Sequence, residues 1–231
     1  MTNPIFPNTQ FHQNWVIRKP VASGGNGVVA CQHRAAAEVG AEVLRAGGNA
    51  VDAAVAVSFA VSVVEPWMSG IGGGGYVQVA LAKEGKFRCV NMGMAAPKGL
   101  RVEDYPLDAA GGSSGDLFAW PNVVENRNIV GYHAIAVPGL VAGMALAHQR
   151  YGSMPWAELL APAIALAKRG LPVTWYMSLR TLGAAKELRN FLASRDTYLP
   201  GGLPPAADQG KPIPHLSLGK LPDTLGRLAE A

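Results

Sequence analysis

The feature that most limits the fold is residues 50–64, AVDAAVAVSFAVSVV, which place apolar side chains on nearly every face of a helical wheel. A surface helix keeps one polar face for water, so a helix that is apolar all round has to be covered on every side. Local chemistry marks its ends. Gly47 and Gly48 stop a preceding helical pattern over 35–46, where a left-handed C-cap residue is wanted. Asn49 stands at an N-cap position, and Asp52 follows three residues later, where an acid meets free backbone amides and the positive end of the helix dipole. Pro66 then ends the helix. The stretch is interrupted by Asp52 and two serines and is too short to span a bilayer, so no membrane role is expected.

Full cover for such a helix is expected to need a second polypeptide, although the chain itself can bury much apolar surface. Its 231 residues are 49% hydrophobic and only 16% charged, enough for a substantial core. Glycines mark the breaks between elements. The run from Gly24 to Gly27 precedes VVAC at 28–31, which reads as a strand, and Gly72–Gly75 lead into an alternating strand at 76–81. A polar turn and a second strand over 87–92 make a hairpin. Residues 101–131 are polar, Gly-rich and aperiodic, and are expected to form a surface excursion. A short strand at 134–138, a small-residue helix at 139–151, a helix ended by Gly170 and a further helix over 174–193 follow. A Pro/Gly-rich loop spans 199–219. The closing amphipathic LPDTLGRLAEA runs uncapped to the last residue, as expected of a piece of something longer.

Charge and cysteine usage exclude several classes of function. The net charge of +4 is dispersed, whereas phosphate backbones call for basic residues gathered on one face, so nucleic acid is not an expected partner. Cys31 and Cys89 lie in apolar stretches and read as core thiols. No Cys/His cluster has metal-ligand spacing, and among His12, His33, His133, His148 and His215 only His33, at a helix start, merits testing. The first twenty residues lack the charged start and apolar region of a secretory signal, which points to the cytoplasm.

Six ordered segments carry a resemblance to a known family: GGNAVDAAVA (47–56), VVEPWMSGIGGGGY (63–76), MAAPKG (94–99), AVPGLVAGM (136–144), YGSMPWAELLAPAIALAKRGLPV (151–173) and LPDTLGRLAE (221–230). Over these the sequence resembles the γ-glutamyltransferase family. The resemblance implies an α+β fold, the four-layer αββα sandwich of N-terminal-nucleophile (Ntn) hydrolases, with residues 1–231 as the N-terminal portion of one domain. This portion would supply helices and some central strands. Such proteins are precursors that cut themselves before a threonine, whose amino group then serves as base for its own hydroxyl. That threonine belongs to a C-terminal small subunit, which is therefore the implied partner, in heterodimers that can assemble further. Thr174, Thr181, Thr197 and Thr224 have no supporting motif, so no catalytic residue is expected in this chain. The implied substrate is a small-molecule amide, and the chemistry needs no cofactor.

The most informative departure is Asn91-Met92-Gly93-Met94-Ala95-Ala96-Pro97, where the family pattern is Asp-x-Arg-Glu-x-Ala-Pro. Gly93 stands at the arginine that holds the α-carboxylate of a γ-glutamyl group, a task suited to a bidentate guanidinium. Met94 stands at the glutamate and Asn91 at the aspartate. One reading is an amidase or acylase whose acyl group lacks that carboxylate, with Met92 and Met94 as an adaptable lining. A second is a true γ-glutamyl enzyme whose anchor has moved, for example to Arg88. A third is a structural subunit or inactive remnant. Gly72, Gly73, Gly74 and Gly75 are expected near the site, at least one with positive φ. No Lys-Ser/Thr follows them, which disfavours a phosphate cradle. Asp52 reads as a cap, and Glu65 as a buried, hydrogen-bonded anchor of the Gly-rich turn.

Overall fold

The computed structural model describes residues 21–113 and 118–231. The reading of residues 1–20 and of His12 lies outside them. In chain order the elements are α1 (Arg34–Arg45), α2 (Ala50–Val64), β1 (Gly75–Leu81), β2 (Lys86–Met92), α3 (Leu140–Tyr151), α4 (Trp156–Arg169), β3 (Leu171–Pro172), α5 (Trp175–Gly183), α6 (Ala185–Leu188), α7 (Leu192–Tyr198), β4 (His215–Leu216) and α8 (Leu221–Glu230).

Helix α2 is the axis of the molecule. Ten of its fifteen residues are buried, including Val55, Phe59 and Val63. Helix α1 packs along one side through Ala36, Val39 and Val43, and α4 covers another through Leu159, Leu160 and Ala163. Phe59 meets the ring of Trp156 edge-on at 5.5 Å. The Trp156 indole in turn donates to Leu228 O at 2.7 Å, which ties α8 over α4. Burying an aromatic body while its one polar atom finds a carbonyl is the arrangement such a side chain needs.

Strands β1 and β2 form an antiparallel hairpin that pairs Tyr76 with Asn91, Val77 with Val90 and Val79 with Arg88. Its two faces differ. Val79, Val90 and Met92 are buried on the side of α2 and α3, whereas Tyr76, Gln78, Phe87, Cys89 and Asn91 are all exposed on the other. The second sheet is small, pairing Leu171 with Leu216. None of the helices formed by the described residues is long and apolar enough to cross a membrane.

Several expectations change. Cys89 is exposed because it alternates onto the uncovered hairpin face, and Cys31 is only half-buried. VVAC at 28–31 joins no sheet, since no described strand lies beside it. In 134–138 only Val137 pairs, through a single bridge to Ala95, and Tyr132–Ala134 forms a 3-10 turn. The helix expected over 174–193 is broken into α5, α6 and the start of α7. The break follows Gly183, where Ala184 takes φ −100 and ψ 3. Most of the described residues in 101–131 are exposed. They are held by short 3-10 turns and by bridges pairing Leu107 with Val123 and Ser113 with Pro121.

Candidate active-site cleft

The two ends of α2 set up the site. At the start, Asn49 Oδ1 accepts from Val51 N at 2.8 Å and Asp52 N at 3.1 Å, and Asp52 Oδ2 accepts from Asn49 N at 2.8 Å. This is a complete capping box. Asp52 has no exposed surface, yet it also accepts from Ser153 Oγ at 2.6 Å, Ser153 N at 2.9 Å and Met154 N at 3.3 Å. Burial alone would raise its pKa, but the bonds from Ser153, Asn49 and Met154 favour the charged form and hold it below the usual range. A carboxylate so fully engaged positions structure and is not available for proton transfer.

At the other end, Glu65 is 4% exposed and closes α2. Its backbone carbonyl accepts from Met68 N at 3.0 Å and Ser69 N at 2.9 Å, shaping the turn that leads to the glycines. The expected side-chain anchor is not seen: Glu65 Oε2 is buried without a hydrogen-bond partner among the described residues. The main chain does the anchoring. Trp67 Nε1, two residues on, is likewise buried and unpartnered.

The glycine run then meets β2 and α3. Gly73 O accepts from Gly139 N at 3.1 Å and Leu140 N at 3.0 Å, satisfying amides at the start of α3 that no side chain caps. None of Gly72–Gly75 has a positive φ, contrary to expectation. Close approach is what excludes a side chain: a Cβ on Gly74 would lie 2.5 Å from Met92 O and 2.9 Å from Met94 N. On α3, a Cβ at Gly143 would collide with the side chain of Met92. Glycine and strand end are therefore pressed into one unit.

Around this unit lies a cleft of about 400 Å³, lined by Ser58, Ser62, Trp67, Met68, Gly72–Gly74, Met92, Leu140 and Met144 among others. Its walls are apolar side chains, the three serines Ser58, Ser62 and Ser69, and glycine backbone, with no acid, base or cysteine among the described residues that line it. Ser62 Oγ is engaged, donating to Ser58 O at 2.8 Å. These walls can shape a pocket for an acyl group, and none of the described lining residues pairs a serine with a histidine or an acid.

Residues 91–94, where β2 ends, sit beside the cleft that Met92 lines. Met92 is 8% exposed and lines the cleft, whereas Met94 is 59% exposed. Asn91 Oδ1 accepts from Gly93 N at 2.9 Å, an Asx-type turn that ends the strand. A Cβ on Gly93 would sit 3.1 Å from Asn91 Oδ1 and 3.8 Å from the Tyr76 hydroxyl. Arg88 is exposed, and its Nη1 donates to Phe87 O at 3.1 Å. Five residues of extended chain separate it from Gly93, about 16 Å at strand rise. Gly74, Met92 and Met94 are thus brought together beside Asn91 and Gly93, while Arg88, Asp52 and Glu65 stand apart from the cleft lining.

Sequence reasoning did not single out Tyr76 or Trp67. The small residues of the 139–151 helix are expected to allow close backbone approach, and Gly143 against Met92 is such an approach. Ser153, expected with Pro155 to open the next helix, caps no helix and instead bonds Asp52. His33 caps α1, its Nδ1 accepting from Ala35 N at 3.2 Å. Burial lowers its pKa, with Glu65 opposing and Arg169 reinforcing, which keeps the capping lone pair available.

The apolar central helix, its flanking helices and the half-covered hairpin are a helix-rich portion of an α+β Ntn-hydrolase fold. The family model described as Gamma-glutamyltranspeptidase matches residues 36–231, and the chain belongs to that family. It is 39% identical over 191 residues to the acylase ACY 1 proenzyme of Pseudomonas sp., covering 83% of this chain and 33% of that protein. It is 35% identical to the glutathione hydrolase proenzyme of Bacillus subtilis, covering 80% and 30%. Among solved structures, the γ-glutamyltranspeptidase of Helicobacter pylori superposes with a TM-score of 0.78 at 29% identity, over 91% of this chain and 56% of that one. The cephalosporin acylase from Bacillus halodurans gives 0.72 at 28%, over 98% and 39%. The chain thus spans about a third of the length of these curated relatives.

Proposed function

We propose that this chain is the large-subunit portion of an amide-cleaving acylase or amidohydrolase that does not use ordinary γ-glutamyl donors. In this reading the nucleophilic threonine comes from a C-terminal partner cut from the same precursor, and the present chain shapes the acyl pocket. The observation that carries it is Gly93 beside the cleft, where the family pattern places an arginine, with Met94 beside it in place of an acid.

A substrate α-carboxylate entering a partly desolvated site needs a charged partner. Without one its desolvation is uncompensated, which costs several kcal/mol of recognition. Arg88 is a poor substitute, being on the strand about 16 Å upstream with its guanidinium on its neighbour's carbonyl. An acyl group that is apolar where a glutamyl head would be charged fits Met94, Tyr76 and Met92 better. The relatives include both an acylase and glutathione hydrolases, so the family accommodates either outcome.

The test is kcat/KM of the assembled, processed protein for a γ-glutamyl anilide against a matched anilide whose acyl group lacks the α-amino acid head. We expect the second to win by at least about tenfold, since the ratio reports differential transition-state binding. Gly93→Arg combined with Met94→Glu should shift preference toward the glutamyl donor. Efficient glutamyl turnover that Arg88→Ala abolishes would overturn the proposal, as would the absence of a terminal threonine on the partner subunit.

A further inference from the structure

Behind the Pro66–Trp67 turn, which also borders the cleft, lies a second and smaller cavity of about 130 Å³. It is lined by Trp67, Leu171, Met177, Thr181 and Tyr198, with Arg180 on its wall and one side open. Leu171 and Met177 are 1% exposed and Thr181 6%, so the floor is firm core.

The chemistry of the walls leans toward donors. The lining is mostly apolar; of its polar side chains Arg180 and the Trp67 indole can only donate, and the Thr181 and Tyr198 hydroxyls can donate as well as accept. Trp67 Nε1 is buried with no partner among the described residues. The Thr181 hydroxyl has only the Met177 sulfur, at 3.8 Å. Arg180 is exposed and makes no ion pair or hydrogen bond among the described residues. Donors without acceptors call for a ligand that brings acceptor oxygens, and a free guanidinium calls for a negative charge. Size narrows the choice: an apolar cavity of roughly 150 Å³ takes one benzene ring. The rings of Trp67 and Tyr198 can receive another ring edge-to-face, as Trp67 and Tyr176 already do at 5.6 Å.

We propose that this cavity binds a small monocyclic aromatic carboxylate, with the ring between Leu171, Met177 and Trp67 and the carboxylate on Arg180. Thr181 and the Trp67 indole supply neutral donors. The inference does not depend on which amide the cleft accepts.

The experiment is a fluorine NMR titration of the assembled full-length protein with fluorophenylacetate and, separately, fluorobenzyl alcohol. We expect saturable binding of the carboxylate at millimolar concentrations or below, and weaker binding of the alcohol. Arg180→Gln should weaken the carboxylate by up to about fivefold, the upper end of an exposed ion pair's worth, and should change the alcohol clearly less. Leu188→Trp, which fills the cavity from another wall residue, should remove both. Should that variant fail to fold, the pair of probes on Arg180→Gln still decides. No saturation at millimolar concentrations would overturn the proposal and leave the cavity a packing gap. Equal weakening of both probes by Arg180→Gln, or binding indifferent to both variants, would overturn it too.

Discussion

The two ends of α2 are built on opposite principles. At the start, every polar group near Asp52 is paired, with partners drawn from Asn49 and from a turn 101 residues away. At the finish, Glu65 and Trp67 each bury a polar atom with no partner among the described residues. A closed network specifies one geometry, because any rearrangement strands a donor or acceptor away from water. An open one leaves capacity to bind. The helix is thus anchored at one end and left receptive at the other, and the receptive end is the one that borders both cavities.

The contrast breaks most visibly at Asp52. Asp52→Ala strands four donors at once and should lower stability by about 3–5 kcal/mol in denaturant unfolding of the assembled protein. Because its folded pKa is depressed, the stabilisation it gives is present above about pH 4 and lost as pH falls through the folded value. The acid limb of stability should therefore flatten in Asp52→Ala. A cost below 1 kcal/mol, on the order of an ordinary surface change, would show that the network is ornamental.

Next in size is a contrast within the glycine run. Gly74→Ala should cost about 2–3 kcal/mol and impair maturation, since the new methyl meets backbone that cannot swing aside. Gly72→Ala meets nothing within 4 Å and should stay within about 0.5 kcal/mol. Precursor processing followed on gels checks both. The smallest effect belongs to Glu65. Replacing an unpartnered buried carboxylate by an apolar side chain of similar length, Glu65→Met, should change stability by less than about 1 kcal/mol in either direction. A loss as large as that at Asp52 would mean that Glu65 meets a partner in the assembled protein and that the finish is closed after all.

What the sequence disclosed follows the same division. The capping box was legible because Asn49 and Asp52 act within one turn, and the all-apolar run announced its own burial. The partner of Asp52 was hidden because Ser153 is brought there by tertiary packing. Cys89 was misread because an apolar neighbourhood does not say which face of a hairpin is covered. The single helix expected after 174 fails at Gly183, a breaker whose weight depends on what α5 packs against. In the glycine run the residue type was informative but the assumed cause was not: a need for space and a need for positive φ write the same letter. The second cavity was not legible, since its walls are gathered from four separate stretches of chain.

The bond between Asp52 and Ser153 has a consequence for the polymer between them. It closes a loop of about a hundred residues that contains residues 101–131, most of whose described members are exposed, and within it a bridge joins Leu107 to Val123. Closure entropy grows only with the logarithm of loop length, so ten further residues inserted at the tip would add less than about 0.1 kcal/mol. Evolution can therefore lengthen, trim or exchange that tip almost freely while the ring around it stays shut.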